Sequence, residues 1–305
     1  DRFRSISERA LRNTSTGYAP WYIVESTDAN YRYLTVGRIL HQAIRKRLDE
    51  PKQNTSDITP PLTEPIDKLR IRDTLDLTQK VSKDKYETKL AQLQGKLNGQ
   101  MRDPRMREHS VIAVFEGSDA AGKGGAIRRI TYALDARQYR VVPVAAPTEE
   151  ERARPYLWRF WRHIPKWGHM SIFDRSWYGR VLVERVEKFC DEDDWMRAYN
   201  EINDFEESLA DSGAVVMKFW LQISDEEQLA RFQEREKTAH KRFKLGPEDW
   251  RNREKWDQYQ RAASEMIGRT STERAPWVLV AANDKKFARL KVLEELTSAI
   301  DRRFG

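Results

Sequence analysis

Apolar residues gather in five short runs: Val111–Phe115, Val141–Val144, Met170–Phe173, Val215–Ile223 and Trp277–Val280. Each is the length of a strand, too short for a buried helix, and continuous enough to be covered on both faces. Between them the pattern changes to steps of three and four. Tyr86, Leu90, Leu93, Leu97 and Met101 predict an amphipathic helix before the first run. Trp195, Tyr199, Ile202, Phe205 and Leu209 predict another, and a last helix closes the chain near Leu290–Ile300. Strands alternating with helices predict an α/β protein with a parallel sheet of about five strands between two helical layers. In such sheets ligands sit at the carboxyl ends of the strands.

Composition narrows this picture. The 305 residues hold one large domain plus appendages, and 34% of them are charged. The net charge of +7 suits a polyanionic partner without requiring one. Cys190 is the only cysteine, so neither an internal disulfide nor a cysteine zinc site is available. No apolar run approaches a membrane span, and Asp1-Arg2-Phe3-Arg4 does not open like a signal peptide. These features predict a soluble cytoplasmic protein without a membrane partner; a homo-oligomer is compatible with them.

The first 47 residues echo 257–303 without a gap. Thr14-Ser15-Thr16 and Ala19-Pro20-Trp21 recur as Thr270-Ser271-Thr272 and Ala275-Pro276-Trp277. Val24, Leu34, Val36, Leu40 and Ile44 recur as Val280, Leu290, Val292, Leu296 and Ile300. The expected organisation is therefore a C-terminal tail of an upstream repeat (1–50), a linker rich in Pro, Asn, Thr and Ser (51–65), and one complete module (66–305).

Chemistry concentrates directly after the first strand. Gly117-Ser118-Asp119-Ala120-Ala121-Gly122-Lys123 is a G-x-x-x-x-G-K phosphate-binding loop, a Walker A pattern between a strand and a helix. The glycines turn backbone N–H groups toward a phosphate, the helix N-terminus adds positive charge, and Lys123 supplies a full one. Gly124 stands where a metal-binding Ser or Thr is usual, so a metal must be held differently. Asp119 reads either as a helix cap or as a replacement ligand, and the missing hydroxyl favours the ligand. Asp174 ends the third strand, where a second metal-binding carboxylate belongs in a phosphate-loop enzyme. Arg231, Arg235, Lys237, Lys241, Arg242 and Lys244 make a basic stretch after the fourth strand, where nucleoside-monophosphate kinases carry a mobile lid. Trp158, Trp161, Trp167, Trp177 and Trp195 read as core rather than as base-stacking platforms.

Together, Gly117-x-Asp119-x-x-Gly122-Lys123-Gly124-Gly125, Asp174-Arg175-Ser176-Trp177-Tyr178, Pro247-Glu248-Asp249-Trp250 through Glu254-Lys255-Trp256-Asp257, and Arg269-Thr270-Ser271-Thr272 through Asn283-Asp284-Lys285 resemble polyphosphate kinase family 2. The resemblance covers nearly the whole module. It implies a thymidylate-kinase-like P-loop kinase fold with a helical lid at about 231–268. It implies Mg²⁺, and phosphoryl transfer between inorganic polyphosphate and a nucleotide. Two-module members resemble the subgroup that converts AMP to ADP. Under that resemblance Lys123 and the amides around Gly117, Gly122 and Gly124 hold phosphates, and Asp119 and Asp174 hold the metal. Arg175 and Arg180 brace the nucleotide phosphate or the transferring group, and Arg235 closes over that group. Arg231, Lys241, Arg242 and Lys244 form a polyphosphate track, and Glu184 touches a base or ribose. Two other readings compete: an ATP-dependent nucleoside-monophosphate kinase, and a non-catalytic polyanion-binding protein. The Gly124 substitution argues against the first, and the lack of a nucleic-acid-binding motif argues against the second and against a specific nucleic-acid partner.

Overall fold

The computed structural model describes residues 2–49, 74–238, 243 and 245–305. The expected linker at 51–65, together with Lys241, Arg242 and Lys244, lies outside the described residues. The chain divides into two compact units, Asp1–Asp57 and Ile58–Gly305.

The first unit contains α1 (Arg2–Thr14) and α2 (Ala29–Asp49), neither of which buries a residue. Its turn hydrogen bonds repeat those found 256 residues later. Trp21 Nε1 donates to Thr14 Oγ1 at 2.7 Å, and Trp277 Nε1 donates to Thr270 Oγ1 at 2.8 Å. Ser15 Oγ accepts from the Trp21 amide, as Ser271 Oγ does from Trp277. Asp28 and Asp284 each cap a helix by accepting from the amide three residues on. What differs is the surroundings. Trp21 is 58% exposed against 7% for Trp277, and Leu40 is 57% exposed against 0% for Leu296.

The second unit carries the sheet. Its order is β2 (Tyr139–Pro143), β3 (Met170–Asp174), β1 (Ser110–Gly117), β4 (Ala214–Gln222), β5 (Trp277–Ala281), all parallel. All five strands expected from the apolar runs are present, with no end shifted by more than two residues. The central strand alternates its side chains between two cores, as a pleated strand must. Val111, Ala113 and Phe115 face one core with α3 (Lys83–Arg102), α4 (Lys123–Thr131) and α9 (Lys285–Phe304). Ile112 and Val114 face the other, with α5 (Glu192–Asp211) and α8 (Trp256–Thr270). This is the three-layer arrangement that the alternation predicted.

The second core contains a buried ion pair. Lys218 Nζ on β4 donates to Glu206 Oε2 (2.7 Å), to Tyr178 Oη (2.9 Å) and to the Thr270 carbonyl (2.6 Å). Glu206 Oε1 accepts from Trp177 Nε1 and Tyr178 Oη. Burial pushes the Glu206 carboxyl up and the Lys218 ammonium down, and their mutual attraction opposes both shifts. The network fastens Trp177 and Tyr178 immediately after Asp174 and Arg175. It therefore fixes where β3 delivers its polar end.

The tryptophan expectation holds only in part. Trp177 and Trp195 are core, whereas Trp161 and Trp167 are exposed. Trp161 packs one face edge-on against Phe205 and leaves the rest to solvent.

The segment expected as a lid is also of more than one kind. Residues 231–237 continue α6 (Asp225–Lys237), while α7 (Pro247–Glu254) buries no residue. From Trp256 onward the chain is α8, whose Ala262, Ala263 and Met266 sit in the second core.

Candidate active site

Strand β1 ends at Gly117, whose φ of +140° leaves its Cβ position 2.3 Å from the Leu221 carbonyl oxygen; only glycine fits. The loop then passes Ala120 (φ +62°) and Gly122 (φ +107°) and enters α4 at Lys123. Among the described residues, the amides of Ala120, Gly122, Lys123 and Gly124 have no partner within the chain. They stand at the positive end of α4, the arrangement that binds phosphate. Lys123 Nζ donates to the Gly117 carbonyl at 2.7 Å, which keeps the ammonium folded at the loop mouth.

Asp119 and Asp174 line one cleft beside this loop. Asp119 Oδ1 lies 3.5 Å from Arg175 Nη2, and its Oδ2 accepts from Asn252 Nδ2 at 2.9 Å. Among the described residues no hydrogen bond or ion pair engages the Asp174 carboxylate. Arg175 holds a left-handed backbone (φ +64°), a strained state for arginine that turns its side chain out of the sheet end.

Two cavities meet at the loop, sharing Asp119, Lys123, Val144 and Arg175 as lining. The first, of about 560 Å³, is walled by Lys123, Arg128, Arg129, Arg175, Arg235 and Arg289, with Asp119, Asp174 and Asp249 as its acids. No aromatic residue lines it among the described residues. The second, of about 740 Å³, mixes arginines with Tyr156, Phe160, Phe189, Trp220, Trp256 and Tyr259. Arg180 and Glu184 lie in it as an ion pair at 3.1 Å. The Arg180 guanidinium stacks 4.2 Å above the Tyr156 ring and also approaches Asp194 at 3.6 Å. Burial raises the Glu184 carboxyl, and Arg180 opposes that rise.

Most of the expected residues thus converge: Gly117, Asp119, Gly122, Lys123, Gly124, Asp174, Arg175 and Arg235 at the loop and first cavity, Arg180 and Glu184 in the second. Arg231 does not join them as a polyphosphate cation. It is buried (4% exposed), and all five of its N–H groups are used on protein acceptors. Nε donates to Glu227, Nη1 to the Ala120 and Ala121 carbonyls, and Nη2 to the Ala282 and Asn283 carbonyls. A guanidinium so committed has no donor left for a phosphate.

Other residues were missed. Arg128 and Arg129 lie five and six residues past Lys123 on the helix that follows the loop, so helical spacing could have found them. Arg289 and Asn252 reach the site from distant segments and carry no local signal. Glu116 is buried beneath the loop, where it accepts from Ser176 Oγ at 2.8 Å. Burial raises its carboxyl above the ordinary value, and Lys123 opposes the rise. It reads from sequence as one more strand residue.

A phosphate loop at the carboxyl edge of a five-stranded parallel sheet, two carboxylates beside it and a ring of arginines define a P-loop phosphotransferase fold. Comparison with known proteins makes this specific. The family model for polyphosphate kinase 2 matches residues 80–304, and the chain belongs to that family. It is 59% identical over 302 residues to a polyphosphate:AMP phosphotransferase of Pseudomonas aeruginosa, an alignment covering 99% of this chain and 61% of that protein. It is similar to a crystal structure of a candidate polyphosphate kinase 2 from Pseudomonas aeruginosa PA01 (TM-score 0.88, 57% identity), covering all of this chain and 63% of that one. Polyphosphate kinase 2 from Arthrobacter aurescens TC1 superposes with a TM-score of 0.71 at 31% identity, over 75% of this chain and 84% of that one. The chain spans about 61% of the length of the first two curated relatives it matches.

Proposed function

We propose that the protein transfers a terminal phosphoryl group from inorganic polyphosphate to AMP, giving ADP. The observation that carries this reading is the meeting of two chemically different cavities at one phosphate loop. A polyphosphate chain has charge on every phosphate and no base, and suits a cleft walled, among the described residues, by six cations and no aromatic residue. A nucleotide has both a ring and a phosphate, and suits the cavity where aromatic rings and arginines mix. Among the described residues, the first cavity offers an ATP donor no ring to receive its base. The relatives named polyphosphate:AMP phosphotransferases support the same direction.

Lys123 and Arg175 would neutralise charge on the transferring group from the shared wall, and Arg235 from the first cavity. Arg180 would meet the acceptor's phosphate, with Glu184 on its far side holding the guanidinium in place. Asp119 and Asp174 fit a Mg²⁺ site, since that ion takes one or two carboxylates and leaves its other positions to phosphates and water. Once bound, it would draw phosphate oxygens together and offset their charge. Lys241, Arg242 and Lys244 remain proposed polyphosphate contacts on the strength of the sequence.

Residues 1–50 are proposed as the C-terminal tail of an upstream copy of the module. Their turn bonds match those around β5, and their exposed apolar residues match buried ones in the second unit. A cytoplasmic location agrees with the single cysteine.

The test is an assay of purified protein with AMP, Mg²⁺ and either polyphosphate or ATP, read as ADP. Polyphosphate alone should suffice, with activity falling steeply as salt is added. Phosphorylation of AMP by ATP and none by polyphosphate would defeat the reading.

A further inference from the structure

Three consecutive carbonyls of the phosphate loop point away from the cleft, and α6 holds all of them. Gln228 Nε2 donates to the Asp119 carbonyl at 3.1 Å. Arg231 Nη1 donates to the Ala120 carbonyl at 2.9 Å and the Ala121 carbonyl at 3.1 Å. In a trans peptide the C=O and the following N–H point in opposite directions. Holding the Asp119 and Ala121 carbonyls back therefore turns the Ala120 and Gly122 amides toward the cleft, and both are unpaired among the described residues. The Ala121 amide is instead used inside the loop, on the Ser118 carbonyl. Ala120 pays for this geometry with a left-handed backbone, which persists only where its surroundings enforce it. The other arm of Arg231 grips the Ala282 and Asn283 carbonyls just past β5, so the loop is tied to a rigid sheet end.

This clasp is joined to α7. Arg253 Nη1 donates to Gln228 Oε1 at 3.0 Å and to the Asp225 carbonyl at 3.0 Å. From the same helix Asn252 Nδ2 reaches the Asp119 carboxylate. Helix α7 thus touches Asp119 twice, at its side chain directly and at its carbonyl through Gln228.

We propose that Gln228 and Arg231 are positioning residues that set the phosphate loop in its anion-binding form, and that Arg253 makes this form depend on the seating of α7. The proposal rests on the loop being the phosphate site. Phosphate bound at the loop and α7 seated on α6 then stabilise each other, without Arg231 touching the substrate. Closure over the substrate and organisation of the amides become one event.

The probe is sodium tripolyphosphate, titrated calorimetrically into the full chain without nucleotide, beside hydrogen exchange at the loop amides. Gln228→Met removes one donor and one acceptor of similar bulk; Arg231→Lys keeps the charge and loses the planar fork. Each should weaken tripolyphosphate binding about tenfold and speed exchange at the hydrogen-bonded loop amides, Ala121 on the Ser118 carbonyl and Gly125 and Ala126 on the Gly122 carbonyl, while the β1 and β4 amides keep their protection. Arg253→Met should speed the same loop exchange with a smaller loss of affinity. Wild-type affinity in folded Gln228→Met would overturn the clasp, including the case where Arg231→Lys fails to fold. Unchanged loop exchange in Arg253→Met would overturn the link to α7. Because the probe needs no turnover, a protein that binds tripolyphosphate normally yet makes no ADP would refute the proposed reaction and leave the clasp supported.

Discussion

Glu116 and the two cleft aspartates show how one functional group, the carboxyl, takes different roles beside one loop. Glu116 is buried and has its proton affinity raised; Asp119 and Asp174 open onto the cleft. Because the folded state holds the Glu116 proton more tightly than the unfolded chain, its contribution to stability is complete below the ordinary value of 4.5. That contribution is lost as pH rises through the raised folded value. Glu116→Gln keeps the bond from Ser176 and has no proton to lose. Denaturant midpoints followed upward from pH 4.5 should therefore shift progressively in favour of the variant; a constant gap would show that burial does not raise this carboxyl. For Asp119→Asn and Asp174→Asn the expectation is opposite in kind. Stability should change little, while turnover falls on the order of a thousandfold. Near-normal rates in both variants would remove these residues from the metal site.

At the scale of elements, the Lys218–Glu206 pair ties β4, α5 and the Trp177–Tyr178 corner together. Lys218→Met leaves a buried carboxylate without its partner and should cost about 3–5 kcal/mol in denaturant unfolding. Adding Glu206→Gln should recover part of that loss, because the uncompensated charge is gone. A fully additive double variant would mean the two groups act independently.

This pair also marks how far sequence reading reaches. Four of the strands were legible because buried parallel strands leave apolar runs, the half-exposed edge strand β2 because its valines still stand together, and the loop because its glycines and lysine follow the first strand. Lys218 interrupts such a run, and nothing in the chain near it announces Glu206. Arg231 was misread for a related reason. Its neighbours Arg235 and Lys237 share its charge, and only the fold distinguishes a buried guanidinium from exposed ones. Arg289 and Asn252 enter through tertiary packing. Local pattern therefore predicts the elements and the residues at strand ends, while the cavity walls arise from segments more than a hundred residues apart.

For the whole molecule, the account is that a polyanion and a nucleotide approach one loop from two sides. Neither cavity alone would distinguish a polyphosphate-dependent kinase from other P-loop enzymes; the proposed division of labour between them would. The direct measurement is the pair of KM values, for polyphosphate and for AMP, in two variants. Arg128→Ala combined with Arg289→Ala strips the first cavity, and Arg180→Ala strips the second. The first variant should raise the polyphosphate KM about tenfold or more and flatten its salt dependence, with the AMP KM within about twofold of the wild type. Arg180→Ala should do the reverse. If removing Arg128 and Arg289 leaves the polyphosphate KM and its salt dependence unchanged while the AMP KM rises, the two cavities have been assigned the wrong way round.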